Sequence, residues 1–147
     1  MSTDPILAPA SVRLGLPPTS KDDAIRACGQ VLLEAGAVHP PYLDGMFARE
    51  LQVSTYLGEG VAIPHGTNES RDQVIKPALG FLQFAEPVDW DGSPVTLCIP
   101  IASAADDHLP ILAALAEVLM DSDAAERLRS TSSVDEVLEL LRPAEAN

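Results

Sequence analysis

The sequence predicts a single layered α/β domain, with a mixed β-sheet flanked by helices. Two segments dense in β-formers, residues 79–84 and 95–101, alternate along the chain with stretches whose apolar residues recur at helical spacing. No repeat, low-complexity tract or linker divides the 147 residues. A chain of that size buries roughly 70% of its unfolded surface, enough for one real core.

Residues 1–11 read as a flexible tail and 12–143 as the domain. Val12, Leu14 and Leu16 alternate with Arg13 and Gly15, a short strand closed by Pro17 and Pro18. Ser20 and Asp23 have capping-box spacing, and Gly36 is placed to end the helix that follows. Ile25, Cys28, Val31, Leu32 and Ala35 share one face of it. A second helix is expected from Pro40 or Pro41 to about Leu51, since proline suits a first turn. Its stripe is Leu43, Met46, Phe47 and Leu51, and Arg49 lies off that stripe.

Residues 55–67 read as a turn, a short buried strand of Val61, Ala62 and Ile63, and a histidine at its end. Pro64 cannot donate to a ladder, so pairing is expected to stop there. A polar loop follows over 67–73. Residues 79–84 and 95–101 are the central strands, with Glu86-Pro87 and residues 91–94 as turn material around Trp90. Trp90 itself is expected to be a partly buried loop residue. A loop over 103–108 then feeds a helix with Ile111, Leu112, Leu115, Val118 and Leu119 on its apolar face. Asp121-Ser122-Asp123 breaks it, a short helix carries Ala125 and Leu128, and Ser133 with Glu136 caps a last helix.

Composition narrows the function. The formal charge is −13, which disfavours nucleic acid, whose binding needs a basic surface to displace counterions. It equally disfavours an anionic membrane surface, and it fits either a basic protein partner or acidity that only secures solubility. Met1 to Ala10 lacks a positive region before a long apolar core, so no signal peptide is expected. Residues 110–120 contain Glu117 and are too short to cross a bilayer, so no membrane insertion is expected. Cys28 and Cys98 read as small buried hydrophobes in a cytoplasmic protein.

The chemistry-bearing residues are few. No pair among His39, His65 and His108 has the spacing of a helical zinc site, and no Gly-Lys-Ser/Thr phosphate loop or Gly-x-Ser-x-Gly elbow is present. His65 is the leading candidate, because strand ends of α/β folds are where such proteins place their sites. Gly66 has no Cβ, so backbone and ligand can approach the imidazole. His108 lies at or just before a helix start, where amides and the helix dipole favour an anion. By spacing alone, a histidine there is more often a cap or a solvated residue, and Arg49 more often a partner in a surface ion pair with Asp44, Glu50 or Glu59.

Tyr56-Leu57-Gly58-Glu59 followed by Ile63-Pro64-His65-Gly66-Thr67 resembles the mannitol-type IIA component of the bacterial sugar phosphotransferase system. The resemblance runs from near Val12, through residues 35–38 and His108-Leu109, to residues 132–138. Pro64-His65-Gly66 is shared with fructose-type and nitrogen-type relatives, whereas Tyr56 to Glu59 and Thr67 lean towards the mannitol branch. The resemblance implies a phosphocarrier that accepts phosphoryl from phospho-HPr on a histidine and passes it to a cysteine of the IIB domain of a IIBC permease. It implies His65 as acceptor, His108 as a group that stabilises the phosphoryl, Arg49 as a source of positive charge and Glu59 as an orienter of the imidazole. No cofactor is implied. The alternatives within the family are a fructose-type IIA and a nitrogen-type regulator whose phosphorylation state controls partner binding.

Overall fold

Residues 7–17, 19–58, 60–102 and 108–141 are described by a computed structural model, with the backbone alone at 68 and 108–112. The strands are β1 (Leu7–Leu16), β2 (Tyr56–Gly58), β3 (Val61–Ala62), β4 (Ala78–Trp90), β5 (Ser93–Cys98) and β6 (Ile101–Ala102). The helices are α1 (Lys21–Glu34), α2 (Tyr42–Gln52), α3 (His108–Met120), α4 (Ser122–Ser130) and α5 (Val134–Leu140), with a 3-10 turn at Asn68–Gln73. One mixed sheet has the order β1-β4-β5-β3-β2, and β6 pairs with the start of β4. The β1–β4 and β3–β5 pairs are parallel, while β4–β5, β4–β6 and β2–β3 are antiparallel. The expected mixed α/β architecture is what forms.

Strand alternation divides the core into two layers. Ala78, Leu82 and Phe84 of β4 pack with Ile25, Cys28 and Leu32 of α1 and Met46 of α2. Leu79 and Phe81 point to the other side, with Leu115 of α3, Leu128 of α4 and Val137 of α5. Each fully buried side chain of this kind contributes about 1.5–3 kcal/mol. The sheet is therefore covered on both faces. Gly29 lets α2 approach α1, because a Cβ there would overlap the Leu43 side chain.

Several elements differ from expectation for identifiable reasons. β1 begins at Leu7, which is only 1% exposed, so residues 7–11 of the expected tail belong to the sheet. Leu7 pairs with Leu79 and lies in the core layer with Leu115, Leu128 and Val137, an anchor that alternation from Val12 onward does not reveal. β4 runs unbroken through Glu86 and Pro87, where the register with β5 shifts between Gln83 and Val88. A bulge tolerates proline, so the expected turn there is a bend within a strand. The real turn is Asp91-Gly92, with φ of 56° and 98°, a two-residue hairpin connection. Trp90 thereby lies in a strand at 1% exposure rather than in a loop. The expected strand over 95–101 divides at Ile99-Pro100, and Pro100 packs over Gly80 and accepts its N–H at 3.0 Å. Helix α2 turns Tyr42, Gly45 and Met46 inward, leaving Leu51 of the expected stripe 89% exposed.

Candidate functional site

His65 is 8% exposed and sits just beyond β3. The parallel ladder with the residues after β5 continues on the carbonyl side: Ile99 N–H donates to Ala62 O and Ile101 N–H to Pro64 O, each at 2.9 Å. His65 then bridges Ile101 in parallel register. Pro64 removes a donor without ending the pairing, contrary to the expectation that pairing stops there, because a proline carbonyl still accepts.

The imidazole Nδ1 lies 2.8 Å from the Ile63 carbonyl oxygen. A carbonyl cannot donate, so Nδ1 carries the proton, and in the neutral ring the lone pair is on Nε2. Burial lowers the pKa of His65. The Ile63 bond opposes that, Arg49's charge adds to it, and Glu50's charge opposes it. The result is a neutral imidazole of fixed tautomer, the form that can attack an electrophile.

Arg49 thus stands near enough for its field to act on His65. Its Nη1 donates to the Val53 carbonyl at 2.8 Å, at the C-terminal end of its own helix. The surface partnership considered for it with Glu50 gives way to this bond, since Glu50 is engaged elsewhere. His108 opens α3, and its backbone is what the structure describes of it. Glu59 lies outside the described residues. The structure therefore brings His65 and Arg49 together and is silent on the side chains of the other two.

Two residues near the imidazole escaped sequence reasoning. Tyr42 is buried on α2; its hydroxyl accepts the Gly66 N–H at 2.9 Å and donates to the Ile101 carbonyl at 2.8 Å. One side chain thus ties the residue after His65 to the residue that His65 bridges. A Cβ on Gly66 would come within 2.6 Å of the Tyr42 ring and would also strike Ser70. Glu50, with 5% of its side chain exposed, accepts from Lys21, Trp90 and Thr55. Neither residue has a sequence signature, since their partners are largely backbone groups or side chains distant in the chain.

Among the described residues, no group of three or more His, Cys, Asp and Glu side chains is placed to hold a metal ion. Cys28 and Cys98 are buried free thiols. Burial pushes the Cys28 thiol up, and Cys98 hydrogen-bonds to it. No helix among the described residues is long and apolar enough to cross a membrane.

The family model for the phosphoenolpyruvate-dependent sugar phosphotransferase system, EIIA 2, matches residues 5–143. The chain belongs to this family. This EIIA 2 chain is 44% identical over 136 residues to the mannitol-specific phosphotransferase enzyme IIA component of Halalkalibacterium halodurans, covering 92% of this chain and 94% of that protein. It is 46% identical over 122 residues to a multiphosphoryl transfer protein of Escherichia coli O157:H7, covering 82% of this chain and 32% of that protein. It therefore spans nearly all of the first relative and about a third of the second. Among solved structures, the complex of enzyme IIAMTL and phosphorylated enzyme IIBMTL from Escherichia coli superposes with a TM-score of 0.85. That match has 39% identity and covers 90% of this chain and 94% of the other.

Proposed function

We propose that this chain is the IIA phosphocarrier for uptake of mannitol, taking phosphoryl from phospho-HPr on His65 and passing it to a cysteine of a IIB partner. The observation that carries the reading is the bond from His65 Nδ1 to the Ile63 carbonyl, which leaves Nε2 as the nucleophilic nitrogen. Membership of the EIIA 2 family and the resemblance to a IIA protein in complex with phosphorylated IIB support the direction of transfer.

In the forward step, the Nε2 lone pair attacks the phosphorus of the donor phosphohistidine. A new N–P bond forms, the old one breaks, and its electron pair returns to the HPr imidazole. In the second step a IIB thiolate attacks the same phosphorus, and the electrons of the N–P bond return to Nε2. Such transfers depend on in-line placement and on stabilising charge over the equatorial oxygens. Arg49 supplies positive charge there, His108 a donor to the phosphoryl oxygens, and Glu59 a carboxylate that orients the imidazole.

The test is phosphorylation by phosphoenolpyruvate, enzyme I and HPr, followed by transfer to a mannitol-type IIB domain. Wild-type protein should gain one acid-labile phosphoryl group and discharge it onto IIB, and His65→Ala should gain none. Normal labelling of His65→Ala would overturn the assignment. Labelling without transfer to IIB would leave the acceptor in place and remove the transport role.

A further inference from the structure

We infer that Glu50 is a positioning residue for His65, acting through Thr55 and Ile63. The inference rests on the reading of His65 as the phosphoryl acceptor. Glu50 ends a continuous run of hydrogen bonds that finishes on the imidazole. Its Oε1 accepts the Thr55 N–H at 3.0 Å and the Thr55 hydroxyl at 2.5 Å. The Thr55 carbonyl accepts the Ile63 N–H at 3.0 Å, and the Ile63 carbonyl accepts His65 Nδ1 at 2.8 Å. The other carboxylate oxygen, Oε2, accepts Trp90 Nε1 at 3.0 Å and pairs with Lys21 Nζ at 3.1 Å. Lys21 is itself held by Asp91 at 2.6 Å, on the β4–β5 hairpin, and lies over the Trp90 ring.

The position of this cluster is what gives it a task. β2 is a three-residue edge strand, and its pairing with β3 is limited to Tyr56 with Ala62 and Gly58 with Val61, with an irregular step between them. So short a ladder cannot by itself hold the backbone at Thr55, just before β2. Glu50 fixes that backbone from α2, whose Tyr42 and Met46 pack in the core. Burial would by itself raise the Glu50 pKa, but its Thr55, Lys21 and Ser54 partners bring it below the ordinary value, so the carboxylate stays ionised. Hydrogen bonds to an ionised acceptor are roughly twice as strong as neutral ones. The carbonyl of Ile63, and with it the tautomer and angle of the imidazole, is thereby referred to the rigid body of the protein. Thr55 itself is 4% exposed, so water is poorly placed to substitute for the carboxylate.

The experiment combines long-range proton–nitrogen NMR of histidine-labelled protein with single-turnover phosphoryl uptake from phospho-HPr. Wild type should show the His65 ring protonated on Nδ1. Glu50→Ala should give a mixture of ring tautomers and a loss of about tenfold in uptake, the order expected when a reacting group is misplaced by a fraction of an ångström. Thr55→Val, which removes the hydroxyl but keeps the N–H bond, should fall between the two. Val137→Ala, in the opposite core layer, serves as a control destabilised away from this cluster and should keep both wild-type signals. A folded Glu50→Ala or Thr55→Val with the wild-type tautomer overturns the inference, whether or not uptake falls. If Glu50→Ala does not fold, Thr55→Val decides. The tautomer is read without phosphate, so this result stands apart from the fate of His65→Ala in the labelling assay.

Discussion

At the residue scale, burial lowers the pKa of His65, while the Ile63 carbonyl raises it, Arg49 lowers it and Glu50 raises it, leaving a net depression. An unfolded histidine titrates near ~6.5. The unfolded chain therefore binds a proton at a pH where the folded protein still does not. His65's contribution to stability is fully present above ~6.5 and is lost as the pH falls towards its folded pKa. Phosphoryl uptake should accordingly hold on the acid side of ~6.5, because His65, the proposed nucleophile, stays neutral there. Arg49→Gln tests the local field. Its removal should move the His65 titration, followed by NMR, upward, and should slow uptake about tenfold through loss of charge at the phosphoryl group. An unchanged or lower His65 pKa would show that the arginine does not face the ring. His65 was legible in the sequence because Pro64 and Gly66 frame it with their own backbone constraints. Tyr42 and Glu50 were not: Tyr42 bonds backbone groups of Gly66 and Ile101, and Glu50 bonds Lys21 and Trp90 from remote segments as well as the nearby Thr55. A side chain that serves a distant backbone leaves no local pattern.

At the scale of elements, the capping signals were the readable part. Asp23 N–H donates to Ser20 Oγ at 3.2 Å and Glu136 N–H to Ser133 Oγ at 3.2 Å, as the spacing of each pair implies. The reciprocal half of the last box is not made by Glu136. Thr131 Oγ1 accepts the Ser133 N–H instead, at 3.0 Å, and the Glu136 carboxylate turns to Arg127. Helix α5 is only seven residues long, too short to persist without caps and packing. Ser133→Ala should therefore cost about 1 kcal/mol, seen as a melting temperature lower by roughly 3 °C. Phosphoryl uptake should be unaffected, since α5 packs beside β1 at the far side of the sheet from β2 and β3. A drop in uptake per folded molecule would contradict that separation. What stayed hidden at this scale were decisions made by pairing rather than by propensity. Glu86-Pro87 has turn chemistry, yet Val88 pairs with Val95 and Trp90 with Ser93, and those contacts carry the strand through the bulge. Leu7 joins the sheet for the same reason, through a partner, Leu79, nearly half the chain away.

At the scale of the molecule, 9 basic residues face 22 acidic ones, for a formal charge of −13. Much of the positive charge is locally matched: Arg13 pairs with Glu34, Lys21 with Glu50 and Asp91, Arg26 with Asp23, and Arg127 with Glu136. Arg49 differs in that its hydrogen bond goes to a backbone carbonyl, so its charge is spent on its surroundings, His65 included. With His65 as the proposed acceptor, an incoming phosphoryl group would thus meet a repulsive field at long range and an attractive one at short range. On the proposed reading the donor must supply the missing attraction, which a basic surface around its phosphoryl group would do. Salt shortens the reach of the long-range term, to about 8 Å at physiological ionic strength, and hardly alters contacts made inside a desolvated interface. Stopped-flow uptake from phospho-HPr should therefore lose roughly tenfold in its second-order rate constant between low and several-hundred-millimolar salt. The first-order transfer within the saturated complex should change little. A second-order constant that is flat or rising with salt would mean that the acidity of the chain serves solubility and not encounter.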